Sequence, residues 1–232
     1  MKITKPLKSV AIFGAGGQGR EVLQLIKHIN EVNPQWKCIG WFDDGVKRGE
    51  EIEGLPVLGG MVEANNWSTP LAIVIAIAWP KTKIKIVDLL NNDSLYFPTL
   101  IHPSVRLDNE EVEIGEGTII TQDCRFTINI KIGAFTLLNS GCCITHDVAI
   151  EDYCSIMPAS VLSGTVVVKK GVYIGAGARI IQQLTLGEGS IIGAGSVVIR
   201  DIPPSCTAVG VPCKPIKFHE RISVGHKIVR MG

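Results

Sequence analysis

Five histidines could move a proton near neutral pH, and their surroundings sort them. His28 falls at a polar helix end, His102 in Ile101-His102-Pro103, and His219 and His226 in the C-terminal tail. Only His146 lies inside the most regular part of the chain, and Asp147 follows it. An imidazole beside a carboxylate can exchange a proton. An inert surface histidine fits the same letters, and spacing alone leaves both readings open. A second group is Gly14-Ala15-Gly16-Gly17-Gln18-Gly19, with Asp43 and Asp44 some two dozen residues later. A glycine turn of this type brings backbone N–H groups and a helix N-terminus towards a phosphate. Carboxylates at that distance can accept hydrogen bonds from a ribose or a base. A tight turn that binds nothing is the alternative.

The elements around the glycine turn support a phosphate-binding context. Lys8–Phe13 is a short apolar run before it, and Val22, Leu23, Leu25, Ile26 and Ile29 recur after it at helical spacing. Cys38–Phe42 reads as a second strand and Leu71–Ala78 as a third, fully apolar one, as in a buried parallel sheet. Lys81–Leu90 reads as a helix and Tyr96–Ile101 as a last strand. This unit spans only about 90 residues, enough for one mononucleotide-binding half and not for the two a dinucleotide needs. The residues favour a nucleotide or nucleotide-linked sugar over NAD.

His146 belongs to a different pattern. From Ile114 to Val198 every sixth residue is apolar, fifteen positions without an insertion. Four residues after each, the side chains are mostly small or β-branched, as at Thr118, Cys124, Thr136, Cys142 and Ser160. Three residues after, Gly, Asn and Asp dominate, which accept the tight conformations of a corner. A six-residue period predicts a parallel β-helix of 18-residue triangular coils, five in all. His146 occupies the third position of its hexad, as do Glu116, Gln122 and Asp152 in theirs, and therefore faces outward. One coil above it stands Gly164, which leaves space over the imidazole.

Composition narrows the classes. The net charge is +1 with no basic block, which argues against nucleic acid. No apolar run reaches the roughly 18 residues of a membrane span, and Ser9–Phe13 is too short for a signal peptide's apolar core. The expectation is a cytoplasmic protein. Of seven cysteines, Cys124, Cys142 and Cys154 fall on the small inward position of the hexad, and none forms a C-x-x-C pair, so they read as space-filling thiols.

With these residues in view, the chain resembles the hexapeptide-repeat acyltransferases that N-acetylate nucleotide-linked 4-amino sugars or O-acetylate sialic acids. The resemblance runs from about Ser9 to Lys217. It rests on the glycine turn, Phe42-Asp43-Asp44, Gly54-Leu55-Pro56-Val57-Leu58-Gly59, Ile101-His102-Pro103, Asn139-Ser140-Gly141, His146-Asp147 and Val209-Gly210-Val211-Pro212-Cys213-Lys214.

The resemblance implies a Rossmann-like α/β half domain over 1–95, a left-handed parallel β-helix over 96–217 and a tail over 218–232. Left-handedness comes from the resemblance, since the general crossover rule gives the opposite hand. It implies an acetyl-CoA-dependent N-acetyltransferase of surface-glycan synthesis, assembled as a homotrimer, with no metal. His146 becomes the general base and Asp147 its orienting partner. Gly14, Gly16, Gly17, Asp43, Asp44 and Asn139 go to the nucleotide-linked amino sugar. Ser155, Gly164, Ala176 and Ala194 go to acetyl-CoA, with Ser155 standing where many members have a second histidine at the thioester end. Ile77-Ala78-Trp79-Pro80 departs from the family's third-strand ending and alters the wall of the nucleotide pocket. O-acetylation of a sialic acid and a non-catalytic sugar-nucleotide binding protein are the alternatives. A zinc hydratase on this scaffold needs three converging imidazoles, which the coils do not supply.

Overall fold

The computed structural model describes residues 6–107 and 111–219. Lys2, Lys5 and the tail residues Arg221, His226, Lys227 and Arg230 lie outside these ranges.

In the N-terminal unit, β1 (Lys8–Phe13) leads through the glycine turn into α1 (Gly17–Val32). Then follow β2 (Trp36–Phe42), β3 (Glu51–Ile52), β4 (Leu55–Gly59), α2 (Met61–Asn65), β5 (Leu71–Ile75), α3 (Pro80–Leu89) and β6 (Leu95–Tyr96). The sheet order is β3-β4-β2-β1-β5-β6, all parallel except β3 against β4. β2 lies on one side of β1 and β5 on the other, so the strand order reverses at β1. The glycine turn therefore sits at the switch point where open α/β sheets leave a crevice. The five apolar residues at helical spacing in α1 are all buried.

The expected strand Tyr96–Ile101 is two strands. β6 ends the first sheet, and β7 (Leu100–Ile101) opens one face of the β-helix. Pro98 lies between them. Without an N–H it cannot continue a ladder, and the chain changes sheets there.

From Val112 to Val198 the strands are two or three residues long and stack in parallel on three faces; Cys206–Val209 extends the first face and Lys214–Phe218 closes it antiparallel. On the first face, strands such as Ile119–Ile120 and Leu137–Leu138 continue β7. The second face carries Arg125–Phe126, Cys143–Ile144 and their successors; the third carries Val112–Ile114, Ile130–Ile132 and theirs. Partners between Ile114 and Val198 are 18 residues apart, as with Ile144 and Leu162, and the last coil is two residues shorter, with Ile192 against Ala208. The inward apolar residues from Leu138 to Val198 are essentially inaccessible, as are Cys142, Cys154 and Ser160 in the small columns. The cysteines are free thiols.

The N-terminal unit docks on the first face. Residues of α1 share a core with Leu100, Ile119 and Leu137, while Phe135 stacks on Tyr153 at the corner with the third face. At this junction Lys83 of α3 is buried, and its ammonium donates to Phe135 O at 2.8 Å, Cys154 O at 3.1 Å and Ser155 Oγ at 3.0 Å. Three acceptors match three ammonium protons. Burial, with no carboxylate partner among the described residues, pulls its pKa down to about 7.

The unfolded chain keeps this proton up to about pH 10.4, and the folded one releases it from about 7. In that window the unfolded state binds more protons, so this lysine makes stability climb as pH rises from 7 to 10. At pH 10 the folded amine is neutral, donates two N–H groups and can accept from the Ser155 hydroxyl, so Lys83→Met strands these buried groups and should lower the denaturant midpoint there. It should also remove the lysine-linked part of the climb, read as the difference between the two proteins' pH profiles.

Candidate active site

The edge between the second and third faces holds the imidazole–carboxylate pair. His146 Nδ1 lies 2.8 Å from Asp147 Oδ2, and Asn129 Nδ2 donates to Asp147 Oδ1 at 2.6 Å. These two hydrogen bonds, His146's first, hold the Asp147 carboxyl below the usual carboxylate range. With Asp147 ionised, the imidazole carries its proton on Nδ1 and turns the Nε2 lone pair away from the carboxylate. The ring lies against Gly164, where a Cβ would overlap Cε1 and Nε2. Gly164 is thus more than open space above the ring: its missing side chain is the ring's seat. Gly164 O accepts from Gln183 N–H at 2.9 Å, while its own N–H makes no hydrogen bond among the described residues. Thr145, His146, Ser163, Gly164, Thr165 and two glutamines enclose an open hollow of about 390 Å³ on this side.

The glycine turn is on the opposite side of the coil. Gly14 is left-handed at φ +104°, and Gly16 caps α1 without a side-chain hydrogen bond. Space is open around Gly16 and Gly17, so the first N–H groups of α1 are accessible to an anion. Gly19 has no such freedom, since a Cβ there would strike Gly14 O. Asp43 does not stand free: Oδ2 accepts from Ala15 N–H and Oδ1 from Gly45 N–H, both at 2.8 Å. It braces the turn and keeps a lone pair on each oxygen.

Asp44 is exposed, and its Oδ1 accepts from Met61 N–H at 2.7 Å at the start of α2. Trp79 packs on Tyr173 of the coil, ring centroids 5.1 Å apart, so it belongs to the junction rather than to the turn.

Asn139 is buried at the edge between the first and second faces, its Nδ2 3.5 Å from Gln18 Oε1 on α1. The buried Gln18 Nε2 has no hydrogen-bond partner among the described residues. Exposed Ala176 and Ala194 stand two and three coils above Ser140 on this same edge. Ser155 departs from the expected contact with acetyl-CoA. It is wholly buried on the first face against Lys83, where no cofactor reaches it. The structure thus gathers His146, Asp147 and Gly164 on one edge, and Asn139, Ala176, Ala194 and the glycine turn around another.

Some residues passed over by pattern emerge here. Asn129 reads only as a corner residue and Gln18 only as an unspecified letter of the turn. His28 Nδ1 meets His102 Nε2 at 3.0 Å across a cleft of about 190 Å³ that also reaches Asn139. Burial first, and His28 second, push the His102 pKa down. Contacts between residues 74 apart leave no local signal. Among the described residues no group of three or more His, Cys, Asp or Glu is placed to hold a metal. No helix there is long and apolar enough to cross a membrane.

A coil of hexads with an imidazole–carboxylate pair on one edge and a nucleotide-fold unit on one face defines a hexapeptide-repeat acyltransferase. Residues 9–90 match the PglD N-terminal domain model, and residues 165–200 match the bacterial transferase hexapeptide model. WeeI from Acinetobacter baumannii AYE is 32% identical over 90% of this chain and 100% of that one, with a TM-score of 0.81. The acetyltransferase domain of PglB from Neisseria gonorrhoeae FA1090, in complex with acetyl coenzyme A, is 27% identical over 91% and 100%, with a TM-score of 0.82. PerB from Caulobacter crescentus, in complex with CoA and GDP-perosamine, is 27% identical over 91% and 98%, with a TM-score of 0.81. No curated protein matches by sequence. The chain belongs to the family of left-handed β-helix acetyltransferases that carry a PglD-type N-terminal domain.

Gly164→Ala tests the seat of the ring. Its backbone has no left-handed strain, so the fold should tolerate the methyl group. The imidazole must move, and kcat should fall about 10- to 100-fold with the melting temperature nearly unchanged. Steady-state kinetics and a thermal melt of the same preparation check this.

Proposed function

We propose that the protein transfers the acetyl group of acetyl-CoA to the amine of a nucleotide-linked amino sugar. The observation that carries this reading is the pairing of His146 with Gly164 in one open hollow. A lone pair able to take a proton lies beside an N–H able to receive developing negative charge. Similar chains bind acetyl-CoA, or CoA with GDP-perosamine. Two similar structures are variants of the perosamine N-acetyltransferase in which a histidine is replaced by Ala or Asn.

In this mechanism the amine nitrogen attacks the thioester carbonyl while His146 Nε2 takes a proton from it. Asp147 holds Nδ1–H and stabilises the imidazolium. The Gly164 N–H receives the oxyanion of the tetrahedral intermediate. The C–S bond then breaks, the imidazolium returns the proton to the departing thiolate, and an amide and CoA result. Gly14, Gly16 and Gly17 with the α1 N-terminus hold the phosphates, and Asp43 fixes that turn. Asn139 meets the sugar, and Ala176 and Ala194 offer a small-residue track for pantetheine.

These groups lie on two edges of one coil, so the reading requires a second copy to bring one edge against the other. A homotrimer does this around a threefold axis. Apolar side chains flank the base on its open edge and support such contact: Ile128 is 52% exposed, Ile199 42% and Ile181 37%. The division of labour follows the expected domains, 1–95 for the nucleotide and 96–217 for acetyl transfer. A cytoplasmic location fits the substrates.

His146→Ala should lower kcat by about 10²–10⁴ and leave both KM values nearly unchanged. The wild-type rate should fall as His146 takes a proton at low pH, and that limb should vanish in the variant. Near wild-type turnover in His146→Ala would sink the mechanism, as a stable monomer by light scattering would sink the trimer.

Gly17→Val addresses the other unit. Crowding the open approach to α1 should raise KM for the sugar nucleotide several-fold and leave kcat and the acetyl-CoA KM nearly unchanged.

A further inference from the structure

Asn129 stands one coil below Asp147, 18 residues earlier, and both occupy left-handed corners, at φ +54° and +60°. The stacking aligns their side chains along the edge, and Asn129 Nδ2 donates to the carboxylate oxygen that His146 does not use. Asp147 is exposed and has no other side-chain hydrogen bond among the described residues. Without Asn129 its carboxylate is free to rotate about the Cβ–Cγ bond, and the Nδ1–H loses a fixed acceptor. Ring orientation then rests on contact with Gly164 alone.

We propose that Asn129 is a positioning residue for acetyl transfer. It clamps Asp147, which clamps the imidazole with Nε2 in the reaction hollow. The inference rests on the reading of His146 as the base. It adds a third member to the pair, on the side remote from substrate. Glu111, Glu113 and Lys131 line the same lower hollow as Asn129 and Asp147, and Lys131 pairs with Glu113 at 3.1 Å. They are the fixed charges against which a change at 129 is read.

The corner geometry supplies clean variants. Asn129→Gly removes the amide and keeps a residue at ease in a left-handed corner. Asn129→Asp keeps the shape and turns the donor into a second carboxylate. Asn129→Gly should lower kcat about three- to tenfold with both KM values unchanged. In an Asp147→Asn background the same change should have no further effect. Asn129→Asp should move the low-pH limb of kcat upward by about half a pH unit, because added negative charge favours the imidazolium. The ring titration of His146, followed by NMR of the free protein, should shift in the same direction. That titration needs no turnover, so it reads Asn129 even if the wild type transfers nothing, an outcome that would defeat the functional reading instead. Unchanged kcat in Asn129→Gly with an unmoved titration in Asn129→Asp would overturn the inference. So would an Asn129→Gly loss that persists undiminished without the Asp147 carboxylate.

Discussion

Corner after corner of the β-helix turns through one left-handed residue, and the placement of the site follows from that constraint. From Gly117 to Gly195 the third residue after each inward apolar position has positive φ, at fourteen consecutive corners. Six are glycine; the other eight include Asp147, Asn129, Thr165 and Phe135. A left-handed non-glycine residue costs roughly 1–2 kcal/mol, offset here by an uninterrupted ladder and a sealed interior. Because no corner is longer or shorter than its neighbours, side chains align in columns at intervals of 18. Gly164 therefore lies over His146 and Asn129 under Asp147. The turn at Asp147 also lets two adjacent side chains meet at 2.8 Å, whereas neighbours in an extended strand point to opposite faces. The same rule that closes the coil makes the pair.

What could be read from sequence followed the same logic. A period of six survives as a pattern because each coil repeats one burial problem, so the faces, the inward columns and the outward His146 were all visible. The glycine turn was visible because its context is local: strand, turn and helix in succession. Other features were hidden because their partners are remote. Lys83 sits in a helix whose composition suggests an exposed lysine, and its three acceptors lie more than 50 residues away. Ser155 occupies an outward letter of its hexad, but its face is covered by the docked unit. Asp44 follows Asp43 in a pair that reads as ligand chemistry, yet one braces the glycine turn and the other starts a helix.

The docked unit gives the chain its functional asymmetry. It spans the first face, from the Lys83 junction to Gln18 beside Asn139, so the crevice at the end of β1 opens towards the edge where Asn139 stands. Among the described residues the unit's contacts lie on the first face and its two edges, and His146 is on the edge opposite. A nucleotide held at the glycine turn cannot present its sugar there without rounding the whole second face. A rigid coil has no hinge with which to shorten that path. Nor does the hollow over Gly164 close by itself, since its walls are the shallow flanks of one coil. Amide formation needs water held off a thioester while an amine approaches. The exposed isoleucines beside His146 are suited to that exclusion only when another surface covers them. In the proposed trimer the Asn139 edge of a second copy would cover them, and that one contact would both dry the proposed base and bring the sugar to it.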